Sequence, residues 1–356
     1  MAHTTMAGFL ILMALGLGAV VLPDAEPAAG AAEQSAAKVE GLDPAANAII
    51  PDGAVLQKLV TGFTWTEGPI WIHEGYLLFS DIPSNSIRKL TLPGTSSIYL
   101  QPSGYLGKAP FGGPESGSNG LTVDVRGRLV AAGHAQRDVY RIDSLSDPAH
   151  TTILADTYEG KRLNSPNDLV YKSDGALYFT DPPYGLVTQK DDDPAKELKI
   201  NGVYRLAGTL EQKAGAPPQR DKLQLLVKDL PRPNGIAFSP DEKYLYVSNS
   251  EPQKIWMRYR VQADGTLADA KLFFDATSDP RTGSPDGIKV DREGNLYGAG
   301  PGGVWIFSPE GKLIATIVMP EKVSNLHWGG SEGKWLFITA STSVYRIDLK
   351  IAGIRP

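Results

Sequence analysis

Six copies of one turn-and-strand pattern, no long 3.6-residue hydrophobic period and a high content of turn formers (38 Gly and 27 Pro in 356 residues) predict an all-β chain. Each copy holds a turn with an acidic or amide residue, usually followed by Gly. An alternating strand, a polar turn and a second apolar strand follow. A third strand rich in aromatic and β-branched residues comes next, as in Val139–Ile142, Val203–Leu206, Val304–Phe307 and Val344–Ile347. Four-stranded units of roughly 40–50 residues repeated in sequence make a propeller. Six copies give a six-bladed β-propeller with four-stranded antiparallel blades around a central channel. A long β-sandwich is the competing fold, and the regular phasing of the copies disfavours it.

Composition narrows the function. A formal net charge of −5 lacks the basic footprint of a nucleic-acid binder. With no cysteine, the chain has neither disulfides nor thiolate nucleophiles nor Cys-based zinc sites.

The elements follow in order. Residues 9–22 form an apolar run of secretory h-region length, ahead of a small-residue stretch in which Ala29-Gly30-Ala31 fits a cleavage site. Residues 1–31 therefore read as a signal peptide, although the segment before the run carries no Lys or Arg. The mature protein is expected to be exported, periplasmic or secreted, with no membrane association once the leader is cleaved. Residues 32–50 read as a flexible N-terminal segment, 51–350 as the propeller and 351–356 as a C-terminal tail. The strand-like stretch Ala54–Phe63 is expected to close the ring by pairing with the last blade, which hides an exposed sheet edge. Two segments break the rhythm: the Gly/Pro-rich Tyr105–Ser118, and residues 185–202 with the acidic run Asp191–Asp193. Loops of this length are often functional lids. The acidic run itself reads as a solvated loop tip.

The six turns carry Glu67, Asn119, Asn167, Asn234, Asp286 and Asn325. In a propeller the first strand of every blade lines the channel, so these residues should form a ring at the axis. Asn and Asp before Gly suit tight turns for backbone reasons alone. Glu67 has no such excuse. Two carboxylates in a narrow channel repel and are desolvated unless a cation compensates them. Oxygen ligands with neutral amides suit one hard divalent ion, calcium first, with magnesium, manganese or zinc as alternatives. Glu67, Asn167, Asn234 and Asp286 are the expected ligands.

These residues also resemble a known family. E-G-P-x-W at Glu67, S-P-N-D at Asn167, P-N-G-x-x-x-S at Asn234 and S-P-D-G-I-x-V-D at Asp286 resemble the gluconolactonase family, which includes regucalcin (senescence marker protein). G-K-R-L-N-S-P-N-D and Y-F-T-D-P-P-Y-G are similar to its bacterial gluconolactonase branch. The resemblance runs from about residue 50 onward. It implies a six-bladed propeller with a divalent metal near the axis that hydrolyses sugar-type lactones. The family's metal-binding Glu falls on Glu67, its metal-binding Asn on Asn234, and its metal-binding acid/base Asp on Asp286. The Asn that touches metal or substrate falls on Asn167. One position departs: where animal members carry a substrate-binding Arg, this chain has Ser165, and Arg162 nearby is not equivalent.

Lactone opening needs a polarised carbonyl, a water nucleophile and a group that moves protons. Asp286 is the expected general base. By position, Asn119, Asn167, Asp181 and His134 are the expected substrate contacts. The expected activity is a metal-dependent lactonase acting on a small sugar-type (aldono)lactone such as gluconolactone. The alternatives are a propeller hydrolase of organophosphate or aryl esters, or a non-catalytic binding propeller with a structural metal. The G-x-S-x-G match at Gly329–Gly333 and the G-x-G-x-x-G match at Gly298–Gly303 precede no helix and are set aside.

Overall fold

The computed structural model describes Met1, residues 33–41 and residues 43–354. The leader and its cleavage site, Met1 apart, lie outside the described residues. The rest is almost wholly strand. Six antiparallel sheets follow one another along the chain, each meandering outward from a first, innermost strand. In blade 1 the strands are Thr66–Ile72, Tyr76–Asp81, Ser86–Thr91 and Thr95–Leu100; in blade 2, Leu121–Val123, Leu129–Gly133, Asp138–Ile142 and Thr151–Ala155. Blade 3 is built from Leu169–Tyr171, Leu177–Asp181, Gly202–Leu206 and Leu223–Val227, and blade 4 from Pro233–Phe238, Tyr244–Asn249, Ile255–Val261 and Leu267–Asp275. Blade 5 runs through Ile288–Val290, Leu296–Gly300, Gly303–Phe307 and Leu313–Val318. Blade 6 takes three strands from the C-terminal part (Val323–Gly329, Trp335–Ala340, Ser343–Asp348) and its fourth from Val55–Thr61.

That fourth strand closes the ring as the sequence predicts. Thr61 pairs with Ser343 and Leu56 with Ile347, antiparallel, so the N-terminal and C-terminal parts of the propeller share one sheet. Within the lead-in expected to be flexible, the described residues 33–41 and 43–50 are tied to the propeller. Glu33–Ala36 adds an edge strand against Val55–Lys58, and Val39–Glu40 pairs with Thr316–Ile317 of blade 5. A helical turn at Ala46–Ile49 buries Ala46 and Ile49 between blades 5 and 6. Its apolar positions are too few and too short-spaced to stand out as a period, so only the tertiary pocket reveals them. The tail is bound similarly as far as it is described, with Gly353 bridging Asp291 and packing on Trp328.

The core is divided rather than central. Buried apolar residues form six clusters, each filling the wedge between two adjacent blades. The cluster between blades 6 and 1 joins Phe337 and Val344 to Leu77 and Phe79. Alternating inward positions on both sheets supply these residues, which is the period-2 signal seen in the sequence. Between blades 4 and 5, Trp256 is fully buried against Trp305 and Phe307, with ring centroids 5.7 and 5.0 Å away. Trp256→Ala is expected to cost about 3–5 kcal/mol through the lost contacts and the cavity left behind. A urea titration reads this as a lowered midpoint at unchanged slope.

Candidate active site

The ring of turn residues does assemble. Glu67 and Asn234 lie on innermost strands, while Asn119, Asn167 and Asp286 stand just before theirs. These five, from five different blades, line one cavity of about 180 Å³. Drug-sized ligands fill roughly 300–1,000 Å³, so this space suits a molecule about the size of one sugar ring. The sixth member, Asn325, lies outside the cavity lining. Its Nδ2 donates to Glu67 Oε2 at 3.0 Å and to Asp168 Oδ2 at 3.4 Å, so it supports Glu67 rather than facing the cavity.

Two repeated devices hold these residues in place. The first is a hydroxyl on the second strand of one blade that fixes the turn of the next. Ser80 Oγ donates to the Asn119 carbonyl, Thr180 Oγ1 to that of Asn234, and Ser248 Oγ to that of Asp286, each at 2.7 Å. The second is the acid or amide that follows each hydroxyl and gathers the chain entering its own blade. Asp81 Oδ1 accepts from the amides of Thr64 and Trp65, and Asn249 Oδ1 from that of Arg232. Asp181 belongs to this second device. It is fully buried and accepts from the amides of Asn164 and Ser165, both at 2.8 Å. Asp181 therefore lies outside the cavity lining.

Close approach explains the glycines after the anchors. A Cβ on Gly68 would lie 2.2 Å from the Asn119 carbonyl oxygen, and Gly68 has φ +52°; a Cβ on Gly235 would lie 2.3 Å from the Asp286 carbonyl oxygen. Blades this near the axis leave no room for a side chain. Ser248→Ala is expected to strip the Asp286 carbonyl of its donor at a cost of about 1–3 kcal/mol. Thermal unfolding measures the loss, and turnover should fall with it because Asp286 is released.

The electrostatics are those of crowded, buried carboxyls that the nearby lysines, Lys289 and Lys322, only partly offset. Burial, then the neighbouring Asp168, push the Glu67 carboxyl up from 4.5 to about 7, against the opposing help of the Gly68 amide and Asn325. Asp286 keeps some exposure through the cavity mouth. Desolvation by the surrounding atoms nonetheless comes first, Glu67 second, and its carboxyl stands well above the ordinary range, with Lys322 pulling the other way. The amides lean toward a cation as well. Asn234 Nδ2 is taken up by Ser250 Oγ at 3.1 Å, which leaves Asn234 Oδ1 buried with no hydrogen-bond partner. Asn119 Oδ1 is likewise unpartnered. Among the described residues no group of three His, Cys, Asp or Glu side chains could hold a metal. The donor set here is two carboxylates with neutral amide oxygens, which fits a hard divalent cation.

Other lining residues were not legible in the sequence: Trp65, Glu115, Tyr184, Ser250, Glu251, Ser284 and Lys322. Lys322 Nζ sits 5.0 Å from the Trp65 ring centroid. Ser165, at the position where the resemblance led to an Arg, is fully buried and locks a turn: it donates to the Pro182 carbonyl and accepts from the Gly185 amide. Lys322 is thus the cation that lines the cavity among the described residues. His134, expected at the substrate, is fully buried one layer back and meets Glu115 instead.

The propeller axis thus ends in a small acid-and-amide pocket. Residues 65–342 match the model of the SMP-30/gluconolactonase/LRE-like region. A Zymomonas mobilis gluconolactonase is 38% identical over 329 residues, covering 89% of this chain and 87% of the relative. A solved Xanthomonas campestris protein described as a gluconolactonase is 34% identical with a TM-score of 0.74, over 92% of this chain and 99% of that one. An Agrobacterium tumefaciens calcium-binding protein, regucalcin, shares the fold at 19% identity and TM-score 0.61, over 84% of this chain and 97% of that one. The chain belongs to the SMP-30/gluconolactonase/LRE-like family, as an enzyme of the gluconolactonase-like lactonase type, a carboxylic ester hydrolase.

Proposed function

We propose that the protein is a divalent-metal-dependent lactonase that opens a sugar-type (aldono)lactone such as gluconolactone. The convergence of Glu67, Asn167, Asn234 and Asp286 from four blades on one small cavity carries this reading. These four would hold the ion, calcium first by the hardness of the donors, and Asn119 would share its oxygen with the ion or the substrate. When bound, the ion supplies Lewis acidity toward the lactone carbonyl. Glu67 balances the charge from the side supported by Asn325 and the Gly68 amide. Asp286 removes a proton from the attacking water and returns it to the ring oxygen as the C–O bond breaks, giving the hydroxy acid. The buried carboxylates need a neighbouring positive charge to ionise at neutral pH, which ties the base to the ion. We further propose that the chain acts outside the cytoplasm, in the periplasm or medium, on the support of the apolar run at 9–22 and the small-residue stretch behind it.

A pH-stat assay on glucono-δ-lactone tests the activity. Acid release is expected, lost on chelation and restored by calcium, magnesium, manganese or zinc. A rate indifferent to chelator overturns the metal reading, and no hydrolysis of any sugar lactone overturns the function.

A further inference from the structure

The two segments outside the blade repeat, 105–118 and 185–202, meet beside the cavity. Gly113 packs against Val187, close enough that a Cβ there would lie 2.8 Å from Val187 Cα. The first segment contributes Glu115 to the same wall as Glu67 and Asp286. Its carboxylate has a neighbour at each oxygen. Gln189 Nε2, from the second segment, donates to Oε1 at 3.0 Å. His134 Nε2 lies 2.8 Å from Oε2, an ion pair only when the imidazole is protonated there as well as at Nδ1, and it makes no hydrogen bond. The other His134 nitrogen, Nδ1, is 3.0 Å from the Pro166 carbonyl, so it carries a proton and fixes the ring. A buried imidazole and an amide thus flank the Glu115 carboxylate. The side chain stays 22% exposed, and that exposure opens on the cavity. A carboxylate offers about four lone-pair sites; Gln189 takes one of them, and the residue lines the cavity where a ligand would lie.

We infer that Glu115 is a specificity-determining residue that accepts hydrogen bonds from the hydroxyls of a polyhydroxylated lactone, with His134 and Gln189 as its positioning residues. The inference rests on the lactonase reading above. An acceptor of this kind favours a ring that brings hydroxyls, and it is left without donors from a ring that brings none. The two loops that interrupt the repeat therefore set which lactone is accepted, while the six anchors set the chemistry.

The test compares glucono-δ-lactone with δ-valerolactone, the same six-membered ring without the hydroxyls. The metal-loaded wild type, Glu115→Ala, Glu115→Gln and Gln189→Ala are measured on both. The preference for the hydroxylated ring, as a ratio of kcat/KM, is expected to fall about 10- to 100-fold in Glu115→Ala, mainly through a higher KM for gluconolactone. A smaller fall in the same direction is expected for Gln189→Ala, which stays informative if Glu115→Ala fails to fold. Equal losses on the two lactones, or an unchanged ratio, overturn the inference and leave the lactonase reading standing. A wild type that opens neither lactone removes that reading and the inference with it.

Discussion

Asp286→Asn is expected to lower kcat on glucono-δ-lactone by about 10²–10⁴-fold, the range in which a positioned general base contributes. The amide keeps an oxygen in the same place, so metal should still bind, more weakly. The Ser248 hydroxyl bond is to the Asp286 backbone carbonyl and survives the change. Loss of turnover with metal retained, measured by calorimetric titration of calcium alongside steady-state kinetics, separates the base from the ligand. A variant with full activity would show that the proton moves through another group.

Glu67→Gln should act in two opposite directions. Turnover and metal binding are lost, because the proposed ligand set keeps only one carboxylate, that of Asp286. The metal-free protein, however, gains stability at neutral pH. The folded Glu67 carboxyl titrates near 7 against an ordinary 4.5, so between those values the folded chain holds a proton that the unfolded chain has released. Stability of the metal-free wild type therefore falls as pH rises from about 4.5 to about 7 and stays lower above that. Glutamine cannot ionise, and its amide oxygen can still accept from Gly68 and Asn325. The fall should become shallower in the variant, leaving the contribution of other raised carboxyls such as Asp286 and Asp181. Unfolding temperatures in chelator at pH 5 and pH 8 measure this, and addition of calcium at pH 8 should raise the wild-type value but not that of the variant. An equally steep fall in Glu67→Gln would remove Glu67 as the source of the acid strain.

The repeat was readable because its causes are local. Alternating apolar positions and a turn anchor usually followed by Gly recur from copy to copy, and together they specify blades, ring closure and the convergence of Glu67, Asn119, Asn167, Asn234 and Asp286. The same regularity misplaces two residues. Asp181 ends, and His134 follows, the second strand of its blade rather than the innermost one, and there one gathers a turn while the other lies against Glu115. Offsets along the chain fix the direction of a strand but not which layer of the axis a side chain reaches. Glu115 and Lys322 escaped notice for the opposite reason: they sit in irregular loops, where no period marks one acidic or basic residue among many. Asn325 falls between these cases, correct in phase and one layer too deep.

The most direct test is a crystal structure of the manganese-soaked protein, read by anomalous scattering. The expected result is a single strong peak in the axial cavity, with oxygens of Glu67, Asn167, Asn234 and Asp286 about 2.0–2.6 Å away. A peak bound elsewhere, or a cavity in which the Lys322 ammonium sits between the two carboxylates in place of an ion, would contradict the assignment.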